Sequence, residues 1–240
     1  TFVKYILGEF PGAKLIADIK ASYALKEYIE GLGGEFIESN TGHSNIKTLM
    51  RKTGAILGGE QSAHFYPGWN GRNGFFDDAL QAAVLMLIQI PSVGGQVSGL
   101  LNLLPAWNFT PDIRPPYTNV LLEKSENNNK LAGCYIEKDI MLNFIEGGRG
   151  LRIQKNKDGK PLHGLKIMFY DDADRYMGWG LVRSSGTEQV VSTRIDARER
   201  TDFEYIAKWS AYLVRLRQGD LEKNMAVIEK FIRTAFNANQ

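Results

Sequence analysis

A short hydroxyl-rich segment with a single arginine is the first candidate for chemistry in this chain of 240 residues. The segment, 183–188, reads Arg-Ser-Ser-Gly-Thr-Glu and follows the strand-like run 180–182. A guanidinium presents a planar fork of donors that fits phosphate oxygens, and hydroxyls and backbone N–H groups around a glycine can form a concave nest of further donors. An ordinary polar turn is the alternative, because turns favour the same residues. Composition alone does not separate the two interpretations.

A second candidate alternates a carboxylate, a hydroxyl and an imidazole, at Glu60, Ser62 and His64. In an extended segment, side chains two residues apart lie on the same face. We therefore expect a row of hydrogen-bonding side chains that suits the neighbouring hydroxyls of a sugar. A loop-borne acid beside a structural histidine and a fragment of a metal site are the alternatives. The metal site is the weaker one, because one Glu and one His lack a third nearby ligand.

A run of acidic residues at 171–175, Asp-Asp-Ala-Asp-Arg, could suit a hard cation such as Mg²⁺. The segments on either side, 165–170 and 177–182, are strand-like, which indicates two strands joined by a polar turn. Aspartate is common in turns because its side chain bonds to the local backbone. We interpret the run as the tip of a hairpin and predict no metal site in this chain.

The composition is typical of a folded protein. The chain is 43% hydrophobic and 23% charged, and its length suits one large or two ordinary domains. A net charge of +2 is too small to indicate a nucleic-acid or anionic-membrane partner. Three histidines and one cysteine, Cys134, provide neither a disulfide framework nor a zinc pattern. This cysteine usage favours a reducing, cytoplasmic setting.

The sequence shows no segment that predicts membrane insertion or secretion. The longest apolar run, 79–90, is interrupted by two glutamines and is too short to span a bilayer. No signal peptide is visible. The first residue is Thr1 rather than Met, so a start that was removed and a start further upstream both stay open.

The Glu60 group lies in a part of the chain where strands and helices alternate. Strand-like and helical segments follow one another at 14–19, 23–31, 35–38, 44–52 and 55–57. Ser44 is a candidate cap for the second helix. The alternation indicates an α/β sheet, and such sheets hold ligands at the ends of their strands. We therefore expect Glu60, just after the third strand, to lie at a ligand-binding edge.

A long apolar helix is predicted after a surface insertion. The insertion runs from Gly68 to Phe76 and is rich in glycine and asparagine. Asp77 is placed to cap the helix that follows, which ends before Pro91. The helix is apolar nearly all round, so we expect it to be the core helix of the first domain. Residues 94–116 carry four prolines and three glycines and are interpreted as the join between domains.

From about Asp112 the pattern changes to clustered strands with helices segregated from them, which indicates an α+β domain. Strands are predicted at 119–123, 150–154, 165–170, 177–182 and 190–195, and one helix at 138–145. Two amphipathic helices are predicted near the end of the sequence, with faces formed by Phe203, Ile206, Ser210 and Leu213, and by Leu221, Met225, Ile228 and Ile232. The Arg183 segment directly follows the strand at 177–182.

Four motifs together resemble those of the α-D-phosphohexomutase family, most closely its phosphomannomutase/phosphoglucomutase members. Residues 59–64 match the family's sugar-binding pattern G-E-x-S-G-H except for Ala63. Residues 183–188 match its phosphate-binding pattern R-x-S-G-T-E, with Gln189 where proline is usual. Residues 18–20 match D-x-K, and residues 41–47 resemble its G-H-S-x-I-K turn. The motifs occur in family order and cover essentially the whole chain.

The resemblance implies both a fold and an incomplete enzyme. The motifs belong to the third and fourth of the family's four domains. We therefore expect an α/β domain with a three-layer, mixed sheet at 1–105, followed by an α+β TATA-box-binding-protein-like domain at 112–240. The phosphoserine loop (T-x-S-H-N-P) and the metal loop (D-G-D-x-D-R) belong to the first two domains, and neither is present in its proper place. No catalytic residue is therefore assigned in this chain.

The resemblance implies cofactors and roles as well. The family's Mg²⁺ is expected on a missing domain, and glucose 1,6-bisphosphate is expected as activator and intermediate of the full enzyme. The residues expected to clamp the non-reacting phosphate are Arg183, Ser184, Ser185, Gly186 and Thr187. Glu60 and Ser62 are expected to contact sugar hydroxyls. His64 either contacts the ligand or supports its loop, and the resemblance favours loop support. Lys20 and His43 resemble positions that face the active-site cleft.

Two hypotheses about function follow. In the first, the chain is the C-terminal half of a phosphomannomutase/phosphoglucomutase, inactive without two N-terminal domains, and binds a hexose phosphate whose phosphate moves between the 1- and 6-positions. It predicts an exposed apolar face on the first domain, where the missing domains would pack. In the second, the chain is a stand-alone, non-catalytic phosphosugar-binding module. Half of a phosphoglucosamine mutase is a further alternative, because Gln61 and the R-S-S-G-T-E form are closer to that enzyme.

Overall fold

Two units make up the chain in the computed structural model, Thr1–Ala106 and Trp107–Gln240. The structure describes residues 2–68, 76–114, 150–154, 165–184 and 191–218. The predicted elements at 119–123, 138–145 and 221–232 lie outside these ranges, as does most of the predicted insertion. The first unit combines a mixed sheet with helices on both faces, and the second combines an antiparallel sheet with a helix. The predicted fold class, an α/β domain followed by an α+β domain, is confirmed.

The first unit is built on a four-stranded sheet with the order β2-β1-β3-β4. The strands are β1 Lys14–Asp18, β2 Glu35–Ser39, β3 Leu57–Gly59 and β4 Phe65–Pro67. β1 is parallel to both β2 and β3, whereas β4 is antiparallel to β3. Parallel neighbours need a crossover connection, which is why a helix follows β1 and another follows β2.

Helices cover both faces of this sheet. The described helices of the first unit are α1 Phe2–Glu9, α2 Tyr23–Gly31, α3 His43–Thr53, α4 Ala79–Gln89 and α5 Val97–Leu101. Successive strand residues point to opposite faces. Leu15 therefore packs in one core cluster with residues of α1, α2 and α4, and Ile16 packs in another with residues of α3. The result is a three-layer domain.

The position of α3 depends on two glycines. Gly42 is the residue before the helix, with φ of 111°, and no side chain caps it, so the predicted cap at Ser44 is wrong. Gly58 in β3 lets the helix lie close to the sheet. A Cβ at Gly58 would lie 2.6 Å from Ile46 Cγ2 and 2.8 Å from Met50 Sδ. The start of α3, with the motif at 41–47, is thereby held beside the end of β2.

The helix α4 differs from the prediction in two ways. Asp78, not Asp77, is its cap and accepts a hydrogen bond from the Gln81 backbone N–H at 2.8 Å. Of its apolar side chains only Leu85 is buried, so α4 is not a core helix. An apolar face of α4 is exposed instead, formed by Leu80, Val84, Leu87 and Ile88. Leu80 and Leu87 are 76% and 66% exposed.

The second unit is a five-stranded antiparallel sheet with the order β5-β9-β8-β7-β6. Its strands are β5 Asn108–Phe109, β6 Leu151–Ile153, β7 Leu165–Tyr170, β8 Tyr176–Ser184 and β9 Val191–Ala197, and its described helix is α6 Arg200–Gln218. Four predicted strands coincide with β6 to β9 within a few residues. Phe203 and Ile206 of α6 pack on Phe169, Val182 and Ile195, as the helical spacing predicted.

None of the helices in the described ranges is both long enough and apolar enough to cross a membrane.

Candidate functional site

The carboxyl ends of three parallel strands bring the candidate residues of the first unit to one edge of its sheet. Lys20 lies two residues after β1, His43 four residues after β2, and Glu60 directly after β3. The carboxyl ends of parallel strands meet at the same edge, where α/β sheets hold their ligands. Lys20, His43 and Glu60 therefore lie on three neighbouring loops, although 40 residues separate Lys20 from Glu60 in the sequence.

Asp18, the last residue of β1, lies at the centre of this edge. Its side chain is fully buried, and the Thr41 hydroxyl donates a hydrogen bond to its Oδ2 at 3.4 Å. Burial raises the pKa of the Asp18 carboxyl, the nearby Lys20 ammonium opposes the rise, and the charge of Glu60 adds to it. Lys20 is buried as well, only 3% exposed. Asp18 thus links the loops electrostatically, a role that the sequence interpretation did not assign to it.

The Glu60 segment forms a tight turn between β3 and β4. The Ala63 N–H donates to the Glu60 carbonyl at 3.1 Å, and the Glu60 N–H donates to the His64 carbonyl at 3.0 Å. The segment is therefore not extended, and the alternation of a strand does not place Glu60, Ser62 and His64 on one face. The five residues 60–64 close an antiparallel hairpin instead, because Gly59 pairs with Phe65.

Hydrogen bonds inside the turn hold both carboxylate oxygens of Glu60. The Ser62 hydroxyl donates to Oε2 at 3.2 Å, and the Tyr66 phenol donates to Oε1 at 3.0 Å. Tyr66 is completely buried, and burial together with the hydrogen bond to Glu60 raises the pKa of its phenol. Tyr66 therefore orients Glu60. The sequence interpretation missed Tyr66, although its place two residues after His64 in a strand would have put both on the same face.

Ala63 occupies a backbone conformation that favours glycine. Its φ is 68°, in the left-handed region that costs ordinary residues about 1–2 kcal/mol. This is the position at which the family pattern has glycine. Glycine would adopt this conformation freely, whereas Ala63 does so at the expense of local strain.

His64 is held by a carboxylate 13 residues further along the chain. His64 Nδ1 and Asp77 Oδ2 are 2.5 Å apart, and Asp77 Oδ1 accepts the Phe65 backbone N–H at 3.0 Å. The His64 ring stacks on Tyr66, with centroids 6.5 Å apart and planes inclined by 11°. Asp77 was predicted as a helix cap. Its contact with His64 carries no local sequence signal, because the two residues lie 13 positions apart in the sequence.

His43 is exposed, and its hydrogen-bonding contact is with the adjacent residue. It is the first residue of α3, and its Nδ1 lies 3.4 Å from the hydroxyl of the adjacent Ser44. The helix start positions it at the same sheet edge as Lys20 and Glu60.

In the second unit the structure describes the beginning of the predicted phosphate loop. Arg183 and Ser184 are the last two residues of β8, and Ser185, Gly186 and Thr187 lie outside the described residues. Val182 packs against α6, so the alternation of the strand turns Arg183 to the opposite face of the sheet. Arg183 is paired across the sheet with Ser192, whose hydroxyl donates to Asp112 Oδ1 at 2.5 Å.

The acidic run at 171–175 is the turn between β7 and β8. Asp171 Oδ1 accepts the backbone N–H groups of Ala173 and Arg175, at 3.0 and 2.9 Å. The Arg175 guanidinium donates to Asp171 and to Asp202 of α6. The hydrogen bond from the Arg175 backbone N–H, foremost, holds the pKa of the Asp171 carboxyl below its ordinary value. These carboxylates stabilise the turn and its contact with α6.

Comparisons with known proteins match the chain along most of its length. Residues 1–106 match the family model described as phosphoglucomutase/phosphomannomutase, alpha/beta/alpha domain III. A phosphoglucomutase from Neisseria meningitidis is 33% identical over 207 residues, which are 85% of this chain and 39% of that protein. A phosphomannomutase/phosphoglucomutase from Pseudomonas syringae is 30% identical over 211 residues, 85% of this chain and 38% of that protein.

A solved structure supports the same relationship. A phosphoglucomutase/phosphomannomutase family protein from Burkholderia thailandensis superposes with a TM-score of 0.62 at 25% identity, covering 95% of this chain and 40% of that one. The chain thus spans about 40% of the length of these relatives. Residues 1–106 therefore match domain III of the phosphoglucomutase/phosphomannomutase family, the α-D-phosphohexomutases that the chain's motifs resemble.

Proposed function

We propose that this chain is the C-terminal half of a phosphomannomutase/phosphoglucomutase and binds the sugar and the distal phosphate of a hexose phosphate. The main observation in support is the Glu60 turn, which lies at the carboxyl edge of the domain III sheet. Hydrogen bonds fix both carboxylate oxygens of Glu60 there. A carboxylate fixed in this way is an acceptor for sugar hydroxyls at constant geometry. Ser62 lies within the same hydrogen-bonded turn.

The second unit supplies the phosphate clamp in this proposal. Arg183 stands at the end of β8, followed by two serines, a glycine and a threonine. A guanidinium in this position can make two parallel hydrogen bonds to a phosphate, and the hydroxyls add further donors. Lys20 and His43 provide positive charge or hydrogen bonds at the edge of the first sheet, where a second phosphate would be attracted.

Two observations support the proposal that further domains pack on this chain. They are its partial coverage of the relatives and the exposed apolar face of α4. The relatives are more than twice as long, since 85% of this chain covers 39% of the Neisseria protein. The apolar face of α4 is the feature that such domains would cover. Burying a large aliphatic side chain contributes about 1.5–3 kcal/mol, so four of them favour association strongly. The hypothesis of a half enzyme predicted such a face on the first domain.

Mg²⁺ does not fit the residues that the structure describes. Within the described ranges no three or more His, Cys, Asp or Glu side chains are grouped to hold a metal ion, and Asp171 is already bound by backbone N–H groups and Arg175. In this proposal the metal and the phosphoserine belong to the first two domains of the family, as the resemblance implies. Glucose 1,6-bisphosphate belongs to the proposal as the ligand that carries phosphate at both ends.

Calorimetric titration of the chain with glucose 1-phosphate, glucose 6-phosphate and inorganic phosphate tests the binding assignment. Arg183→Ala should abolish measurable binding of all three ligands. Glu60→Gln should weaken binding of the hexose phosphates about tenfold and leave inorganic phosphate unaffected, because it removes one charge-assisted bond to the sugar. Arg152→Ala is the matched control, since Arg152 is an exposed arginine of the same sheet that is paired with Asp174. Unchanged affinity in Arg183→Ala would remove the clamp assignment.

Reconstitution separates the two hypotheses about function. The chain mixed with the preceding part of a relative, such as the Neisseria phosphoglucomutase, should convert glucose 1-phosphate to glucose 6-phosphate, whereas neither part alone should. A stable stoichiometric complex without activity would count against the half-enzyme proposal. Tight binding of hexose phosphate by the chain alone, with no association, would support the stand-alone binding module. Competition between glucose, mannose and glucosamine phosphates would then distinguish the proposed enzyme from a phosphoglucosamine mutase.

A further inference from the structure

Two hydrogen bonds of Asp77 and one of Asp78 tie the start of α4 to the Glu60 hairpin. Asp77 Oδ2 lies 2.5 Å from His64 Nδ1, and its Oδ1 accepts the Phe65 N–H at 3.0 Å. The backbone N–H of the next residue, Asp78, donates to the Phe65 carbonyl at 3.2 Å. These bonds hold the residues that precede α4 alongside the start of β4. The Asp77 carboxylate therefore has a defined position relative to the imidazole, although both side chains are partly exposed.

The ionisation state of the Asp77 carboxyl decides which ring nitrogen of His64 carries a proton. Burial acts to raise the pKa of the Asp77 carboxyl, but the Phe65 N–H, His64 and the charge of Lys47 together hold it below the ordinary value. Asp77 is thus ionised at neutral pH and can only accept hydrogen bonds. The short Nδ1···Oδ2 contact then requires a proton on Nδ1, in both the neutral and the charged imidazole.

The opposite nitrogen is the one left for other partners. With Nδ1 donating to Asp77, Nε2 of a neutral His64 is an acceptor. Stacking on Tyr66 restricts the ring plane, and Tyr66 in turn donates to Glu60. Four side chains thus form one connected group, in the order Asp77, His64, Tyr66 and Glu60. The charged groups that face this set are Lys47, over the Tyr66 ring at 5.1 Å, and Asp18 behind Glu60.

We propose that Asp77 is a positioning residue, which holds His64 as the Nδ1–H tautomer and so keeps Nε2 as an acceptor for a sugar hydroxyl at the Glu60 turn. The identity of the ligand rests on the proposed function, whereas the tautomer does not. The role resembles that of a carboxylate that orients a histidine in other sites, where replacement by asparagine keeps the geometry and selects the wrong tautomer.

Long-range ¹H–¹⁵N spectra of histidine-labelled protein test the tautomer directly and need no ligand. The chain has three histidines, so a substitution of each assigns every signal. We expect the neutral imidazole of His64 in the Nδ1–H form. In Asp77→Asn the amide oxygen can accept the Phe65 N–H while the NH₂ group donates to Nδ1, so the tautomer should change to Nε2–H. An Nε2–H signal in the parent chain, or an unchanged tautomer in Asp77→Asn, would overturn the proposal.

Asp78→Asn is the matched control. Asp78 is the adjacent carboxylate, but its side chain caps α4 through the Gln81 N–H. Asparagine is an equally good cap, so this variant should keep both the His64 tautomer and the melting temperature. A change of tautomer in Asp78→Asn would show that the effect is not specific to Asp77.

Calorimetry with glucose 1-phosphate then tests the positioning role. Asp77→Asn should bind about tenfold more weakly, because Nε2 becomes a donor where an acceptor is needed. Unchanged affinity despite a switched tautomer would overturn the role for His64 Nε2. Absence of binding in the parent chain would instead refute the proposed function and leave the tautomer assignment standing.

Discussion

Replacing Ala63 by glycine should stabilise the first unit, although it removes a methyl group. Ala63 has a φ of 68° and its side chain is exposed. The left-handed conformation costs an L-residue about 1–2 kcal/mol, whereas glycine adopts it freely. Glycine loses about 0.5–1 kcal/mol more conformational entropy on folding. The difference predicts a gain of about 0.5–1 kcal/mol, with no packing to lose.

Guanidinium unfolding and calorimetry measure this effect. A gain of that size should raise the melting temperature of a unit of 106 residues by about 2–8 °C. The slope of the denaturation curve should not change, because the surface exposed on unfolding is the same. The transition of the second unit should not move, since the substitution does not touch it.

Gln61→Gly is the matched control for Ala63→Gly. Gln61 is exposed in the same turn but is not among the described residues with positive φ. Glycine there relieves no strain and adds flexibility to the unfolded chain, so the variant should be less stable than the parent or equal to it. If Ala63→Gly were destabilised as much as Gln61→Gly, the strain assigned to Ala63 would not exist.

The structure supports two further predictions. Tyr66→Phe should lower the free energy of unfolding by about 1 kcal/mol at neutral pH, because it leaves Glu60 Oε1 without its buried donor. Since burial raises the pKa of the Tyr66 phenol above its ordinary value of 10.0, the parent chain should lose stability as pH rises above about 10, and Tyr66→Phe should lack that part of the loss. An equal loss in both proteins, measured by urea unfolding between neutral and alkaline pH, would contradict the assigned shift. Leu87→Glu on the exposed face of α4 should change the stability of the first unit by less than about 0.5 kcal/mol but prevent association with a preceding half. Leu85→Ala on the buried side should instead lower stability by about 2–5 kcal/mol, and a similar loss in Leu87→Glu would show that the α4 face is buried within the unit.

The burial of α4 could not be predicted from its sequence. A helix that packs inside its own domain and a helix that packs against another domain show the same apolar pattern. The pattern therefore predicted a core helix, whereas the described structure exposes Leu80 and Leu87 and buries Leu85. The pattern did predict the helix itself and its end before Pro91, because these depend on local propensity and on the missing N–H of proline.

For the Glu60 motif as well, the sequence identified the residues but not their conformation. The sequence identified Glu60, Ser62 and His64 as one group, but it placed their side chains on one face only if the segment were extended. The hydrogen bonds of the turn decided otherwise, because Gly59 pairs with Phe65 and leaves five residues to close the hairpin. Ser62 still meets Glu60, but through the turn rather than through strand alternation.

Local pattern by itself predicted most of the strands and helices, the order of the two fold classes and the residue types suited to a sugar phosphate, since these depend on periodicity and on short motifs. It did not predict α1, β4 or β5. Tertiary structure alone decided that Asp18, Tyr66 and Asp77 complete the site. Their contacts with Thr41, Glu60 and His64 join residues that lie 6 to 23 positions apart in the sequence. Such contacts depend on how strands pair and on where the loops between them end. The sequence of the intervening residues does not indicate either.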